Sequence, residues 1–325
     1  MSVRSVPGDA LDTMRRTAMT RSLLGRFPWA GQWELTCRCN LRCVMCYTDC
    51  FNTSAHVRQE LATEDIVRIL DELQEAGCVE LTFTGGEPLS RPDFLTIYGA
   101  AHERGFVLTV FTNGTLITPA VADCWALARP RSVEISVHGV SARVFDGVTR
   151  VPGSLERCLA GIELVMRRRI PVVLKTVGLI SNWHEILAIK QFVDSLGGAT
   201  WRFGQYLRDD LAGTSAPFQF QLPEARLRTL EQQDRELWEA KCGEIAWSES
   251  IAHKTCGGGQ LTFHIDAYGQ LQLCSNNRRG GYDLRAGSFR AGFDEVLPTL
   301  PCQGRTRTHP ETMPLHVTRP RRTAS

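Results

Sequence analysis

A chain of 325 residues, 43% of them apolar and 22% charged, buries a sizeable core and has the length of one large domain or two modest ones. Its net charge of +2 gives no general argument for a nucleic-acid or anionic-lipid partner, and no apolar run approaches the roughly 18–20 residues that span a bilayer. General disorder is excluded too, because the low-hydrophobicity, high-charge composition that produces it is absent.

Residues 1–31 read as an N-terminal segment. Met1 to Leu24 carry Arg4, Arg15, Arg16 and Arg21 but no apolar h-region, so the expected location is cytoplasmic. Candidate strands then follow at Trp33–Thr36, Val79–Thr84, Val107–Thr112, Ser132–Val137, Val172–Val177 and Thr200–Phe203. Amphipathic patterns separate them. In Thr63–Ala76, for example, Ile66, Ile69, Leu70 and Leu73 share one face and Glu64 and Asp65 mark the start. Six strand–helix repeats imply an α/β fold, doubly wound or barrel-like, with chemistry at the C-terminal ends of the strands. Lys175 reads as a core-edge residue that snorkels, and Asp146 and Arg150 as a surface pair without a catalytic role.

The pattern changes near Leu222. Pro223–Ala240 predicts a single amphipathic helix, and Gln260–Cys274 a hairpin turning at Asp266–Gly269. Phe289, Phe293, Val296 and Leu297 have the spacing of a short helix. Residues 303–325, with five Arg, five Thr and three Pro, read as a disordered basic tail.

Five of the twelve cysteines crowd into fourteen positions, which reads as metal ligation in a reducing cytoplasm. Lone Cys78, Cys124 and Cys158 read as small buried hydrophobes. Cys39-Asn-Leu-Arg-Cys43-Val-Met-Cys46 follows the first strand directly and places three thiolates around one compact loop. Three ligands on a four-iron cubane leave one iron open to a substrate or cofactor. The alternatives are a zinc site completed by Cys37 or Cys50, and a second register, Cys43-x2-Cys46-x3-Cys50, of ferredoxin-like spacing.

C-x3-C-x2-C followed by Tyr47 resembles the radical S-adenosylmethionine (SAM) superfamily. Its further landmarks arrive in order at successive strand ends: Thr84-Gly85-Gly86-Glu87-Pro88-Leu89, Thr112-Asn113-Gly114-Thr115 and Ser136-Val-His-Gly139. The resemblance covers about Gln32 to Tyr206 and implies a partial (β/α)6 TIM-type barrel over residues 32–221. It implies a [4Fe–4S] cluster on Cys39, Cys43 and Cys46 whose open iron is chelated by SAM. One electron then cleaves SAM to a 5′-deoxyadenosyl radical, which abstracts a substrate hydrogen. By the same resemblance Gly85 and Gly86 admit the methionine amino group, Glu87 pairs with its ammonium, Tyr47 lies against the adenine, and Ser136 meets the ribose or carboxylate. Asn113 is a further cofactor contact or, as an Asn-Gly pair, a turn.

Cys256, Gly269 and Cys274 form C-x12-G-x4-C, which resembles the start of the SPASM or twitch extension that holds auxiliary iron–sulfur clusters. Residues 222–302 are accordingly expected to be a linker helix and an auxiliary-cluster region, with Cys302 as a third ligand. A full SPASM domain carries more cysteines beyond this point. The site is therefore a three-cysteine cluster, a cluster completed by Cys242 or a non-cysteine group, or the product of a truncated or frameshifted C-terminus.

Enzymes of this resemblance mostly modify ribosomally made peptides or other natural products; haem and cofactor biosynthesis is the alternative, and a non-catalytic iron–sulfur regulator or electron carrier a third reading. The expected partners are a flavodoxin- or ferredoxin-type reductant and a precursor peptide, with no nucleic acid and no membrane. The roughly 32 residues before the first strand are too few for a winged-helix peptide-recognition domain, so leader recognition is expected to come from a separate protein or to be absent.

Overall fold

The computed structural model describes residues 13, 14, 17, 25–48, 54–205, 207–239, 257–278 and 280–302. Cys50, Cys242, Cys256 and the tail from residue 303 lie outside the described residues.

β-branched and aromatic runs form the strands, and apolar stripes at helical spacing form the helices between them. The order is β1 (Ala30–Thr36), α1 (Ser54–Gln59), α2 (Thr63–Glu75), β2 (Glu80–Gly85), α3 (Phe94–Glu103) and β3 (Val107–Thr112). Next come α4 (Pro119–Leu127), β4 (Ser132–Ser136), α5 (Ala142–Thr149), α6 (Ser154–Arg167), β5 (Val172–Val177), α7 (Ile186–Ser195) and β6 (Ala199–Gly204). After α8 (Glu224–Gln233) the chain closes with β7 (Thr262–Ile265), β8 (Gln270–Gln272) and β9 (Tyr282–Asp283).

The nine strands among the described residues share one sheet, in the order β6-β5-β4-β3-β2-β1-β7-β8-β9. β1 to β6 are parallel neighbours, which is the sheet of a partial TIM-type barrel. Period-2 alternation divides each strand. Leu108, Val110, Leu174 and Phe83 are buried apolar residues, whereas Thr82, Thr109, Phe111, Glu134 and Arg202 line the lumen. In α2, Ile66, Ile69, Leu70 and Leu73 are all buried, as their i, i+3, i+4, i+7 spacing requires.

The predicted hairpin forms, with Asp266 Oδ1 accepting from the amides of Tyr268 and Gln270, both at 2.9 Å, and Gly269 at φ +86° closing the turn. It is not a separate layer. β7 pairs in parallel with β1, from Ala30 opposite Thr262 to Trp33 opposite Ile265, so the C-terminal region continues the barrel sheet. Gly31 makes the junction close: a Cβ there would lie 2.4 Å from the Phe263 ring. Phe263 in turn packs on Phe289 and Phe293, with centroids 4.9 and 6.1 Å away.

Three expectations need correction. The helix predicted over Pro223–Ala240 breaks at Asp234, whose carboxylate accepts from Leu237 N (3.1 Å) and pairs with Lys190 of α7, so helix resumes only at residues 235–239. The short C-terminal helix is a π-helical turn, Ala291–Val296, followed by a 3-10 turn, Leu297–Thr299. Asp146 and Arg150 do not pair. Asp146 accepts from Gly153 N, Ser154 Oγ and Leu155 N at 2.7–2.9 Å and so caps α6, while Arg150 takes the left-handed conformation (φ 56°) that ends α5.

Candidate active site

The cysteine loop leaves β1 at Thr36 and is held at both ends. Thr36 Oγ1 (2.5 Å) and Cys37 N (3.0 Å) donate to Glu60 Oε1, and Arg38 pairs with Glu60 Oε2 at 2.9 Å. Farther on, Arg42 N donates to Thr149 O and Val44 N to Val148 O, both at 2.9 Å. These contacts use carbonyls that the end of α5 leaves without helical partners. Between the anchors Cys46 N donates to Cys43 O (3.0 Å), and Leu41 N approaches Cys39 Sγ at 3.4 Å. Cys39, Cys43 and Cys46 are half-buried, whereas Cys37 is buried.

Asn113, at the end of β3, ties the barrel to this loop. Its Nδ2 donates to Asn40 Oδ1 (2.9 Å) and lies 3.8 Å from Cys39 Sγ; its Oδ1 accepts from Thr115 N (2.9 Å) and Thr115 Oγ1 (2.6 Å). Asn40 Nδ2 donates to Thr115 Oγ1 at 2.7 Å, completing the ring. The Asn-Gly pair is thus a turn that also fixes the first cysteine.

Gly85 and Gly86 pack closely against the cysteine loop. A Cβ at Gly85 (φ +138°) would sit 2.2 Å from Thr36 O, and one at Gly86 2.4 Å from Arg38 O. Lacking side chains, both lie against the cysteine loop, with Gly86 N donating to Thr36 O (2.9 Å) and Glu87 N to Arg38 O (2.7 Å). Glu87 is fully buried. Its Oε1 accepts from Thr112 Oγ1 (2.8 Å) and Leu89 N (3.1 Å), and its Oε2 from Asn113 N (2.6 Å). Burial pushes its pKa up to about 7 against these donors. Through these bonds Glu87 sets the turn that carries Asn113. Ser136 ends β4 half-buried, opposite Lys175 in register, and its hydroxyl makes no hydrogen bond among the described residues.

Tyr47 opens onto a buried charge cluster that sequence reasoning missed. Its hydroxyl donates to Glu34 Oε1 (3.0 Å), and the Arg208 guanidinium lies 3.3 Å over its ring. Glu34 is fully buried and pairs with Arg278, whose Nη1 reaches Oε2 at 2.8 Å; His264 Nε2 stands 3.8 Å away. Burial pushes the Glu34 carboxyl up, but His264 and Arg278 outweigh it and hold the group below the usual carboxylate range. Arg278 Nε and Arg208 Nη1 both donate to Ser275 O, at 3.1 and 2.5 Å, so the cluster joins Tyr47 to the turn that follows Cys274. The sequence signal was a charge, Glu34, set between the apolar Trp33 and Leu35 in the first strand.

Cys274 and Cys302 are both half-buried, and Asn277, bridged to Cys274, donates to Pro301 O at 2.7 Å beside Cys302. Gly259, three residues after Cys256, lies against Leu273: a Cβ there would be 2.3 Å from its side chain. The stretches next to the three C-terminal cysteines therefore meet. Cys256 itself is outside the described residues.

The donor set fits an iron–sulfur cluster: three soft thiols on one short anchored loop.

A parallel barrel sheet with three thiols beyond its first strand and Gly-Gly-Glu beyond its second is the arrangement that the sequence resemblance implies. Residues 33–193 match the Radical SAM superfamily, and the chain carries a radical SAM domain. Among curated relatives, the AdoMet-dependent heme synthase of Methanosarcina barkeri is 34% identical over 169 residues, 52% of this chain and 48% of that protein. Mycofactocin maturase MftC of Mycolicibacterium smegmatis is 29% identical over 274 residues, 74% of this chain and 63% of its own length. The first relatives are thus matched over about half their length. Streptococcus suis SuiB shares the fold with a TM-score of 0.66 at 14% identity, covering 91% of this chain and 74% of its own. No helix among the described residues is long and apolar enough to cross a membrane.

Proposed function

We propose that the protein is a radical SAM enzyme that reductively cleaves S-adenosylmethionine and abstracts a substrate hydrogen, acting in maturation of a ribosomally made peptide or related natural product. The carrying observation is the loop of Cys39, Cys43 and Cys46, braced by Glu60, by the end of α5 and by Asn113 at the C-terminal mouth of the barrel. When bound, the cluster and SAM supply the one-electron carbon–sulfur cleavage. The three thiols would hold the cluster, and Asn113 would keep Cys39 in place. Tyr47, wedged between Glu34 and Arg208, would present one side to the adenine, and Ser136 has a hydroxyl left for the ribose or carboxylate. Cys274 and Cys302, with Cys256, would hold an auxiliary cluster. A flavodoxin- or ferredoxin-type protein would deliver the electron.

The peptide reading draws on the match to MftC, named a maturase, which covers 74% of this chain and so reaches beyond residues 33–193. Haem or cofactor biosynthesis is the second reading, favoured by the 34% identity to a protein named a heme synthase. The test is anaerobic reconstitution followed by reduction with SAM. Wild type is expected to release 5′-deoxyadenosine, and the triple variant Cys39→Ala, Cys43→Ala, Cys46→Ala none. Undiminished release by the triple variant would refute the proposal.

A further inference from the structure

The groups that hold the Tyr47 side chain are tied to one short turn, residues 274–278. The Tyr47 hydroxyl donates to Glu34 Oε1 at 3.0 Å, and the same carboxylate takes the Arg278 fork, Nη1 on Oε2 at 2.8 Å and Nη2 on Oε1. The Arg208 guanidinium covers one face of the ring, 3.3 Å from its centroid, and that of Arg278 stands 5.4 Å away. Both arginines are anchored to one carbonyl. Arg278 Nε donates to Ser275 O at 3.1 Å; Arg208 Nη1 donates to Ser275 O and, at 2.9 Å, to Asn276 Oδ1. The turn in its own right is closed beside the C-terminal cysteines. Asn277 N donates to Cys274 O at 3.2 Å, and Asn277 Nδ2 to Pro301 O at 2.7 Å, one residue before Cys302.

The link is stiff for an electrostatic reason. Glu34 is 0% exposed, so its charge is stable there only while its partners stay in place. A fork on both oxygens fixes the plane of the carboxylate, and that plane fixes where the Tyr47 hydroxyl sits. His264 Nε2, 3.8 Å from Oε2, is too far to take over from Arg278. The Tyr47 carbonyl accepts from Leu211 N at 2.9 Å, but a backbone bond does not orient the ring.

We propose that Glu34 and Arg278 are positioning residues for SAM: they set the Tyr47 ring through its hydroxyl, and so make SAM affinity depend on the turn that carries Cys274. The inference rests on the radical SAM reading, in which Tyr47 faces the adenine, and it names how that site is regulated from the C-terminal region. Binding linkage is reciprocal, so SAM in turn steadies residues 274–278.

The test uses the reconstituted, oxidised full chain without reductant. It reads the dissociation constant of SAM by titration calorimetry, and the 19F resonance of Tyr47 labelled as 3-fluorotyrosine with no SAM present. Arg278→Lys keeps the charge but loses the fork and the bond to Ser275 O. It is expected to shift the Tyr47 resonance and to weaken SAM about tenfold, the worth of one hydrogen bond to a charged group. The double variant Glu34→Gln, Arg278→Met removes both charges together, leaves neither unpaired, and is expected to fold and to show the same two changes. Tyr47→Phe cuts the link at the hydroxyl. In that background Arg278→Lys is expected to cost less than about twofold, because coupled residues are not additive; a general loosening of the fold would instead multiply the two losses. Wild type that fails to bind SAM would refute the radical SAM reading itself. Wild type that binds SAM, with resonance and affinity unchanged in Arg278→Lys or with losses that multiply in the Tyr47→Phe background, would overturn the proposal.

Discussion

Glu87 holds its proton more tightly folded than unfolded, because burial penalises the carboxylate more than its three donors favour it. Its folded pKa is about 7 against an ordinary 4.5. Between those values the native state retains a proton that the unfolded chain has lost, so stability falls as pH rises through the window and levels off above it. Each tenfold in proton affinity is worth about 1.4 kcal/mol, so the Glu87 contribution is of order 3 kcal/mol. Urea unfolding of wild type and Glu87→Gln at pH 5 and pH 7.5 isolates it. The variant is expected to lose most of that pH dependence; an identical pH dependence in both proteins would contradict the burial argument. Asn113→Ala is expected to keep the fold while releasing iron to a chelator several-fold faster than wild type, since it removes the link between β3 and Cys39. Unchanged release would deny Asn113 its positioning role.

β7 is the element that makes the C-terminal region part of the barrel, through its pairing with β1 and through Phe263 over Gly31. Truncating a buried Phe costs about 3–5 kcal/mol, so Phe263→Ala is expected to lower the melting temperature clearly and to expose the amides of residues 262–272 to hydrogen exchange before those of β2 to β5. Simultaneous exchange of both regions would show that the hairpin is not a separable edge. The parallel strands were legible because their β-branched runs and flanking helical patterns agree; Val107–Thr112 and Val172–Val177 are found with the bounds the sequence predicts. The break at Asp234 was not legible, because its cause is Lys190, forty-four residues away and brought close only by the fold. Likewise the cysteine register could be read from spacing alone. The internal role of Glu87 could not, since it depends on the end of β3 folding back onto β2.

At the scale of the whole molecule, the Glu34 cluster links Tyr47 of the cysteine loop to the turn after Cys274, where the auxiliary cluster is proposed. In the triple variant Cys39→Ala, Cys43→Ala, Cys46→Ala, the iron that remains reports the C-terminal site alone. About four irons per chain are expected if that site holds one cluster; iron near zero would reject the auxiliary site. An iron left open for SAM by the Cys39 loop is tested by electron–nuclear double resonance of the reduced protein with SAM labelled at its amino nitrogen and carboxylate. Wild type, and the variant Cys274→Ala, should show both labels coupled to the cluster, and the triple variant neither. Coupling that survives in the triple variant, or is missing from wild type with its cluster fully loaded and SAM in excess, would contradict the account.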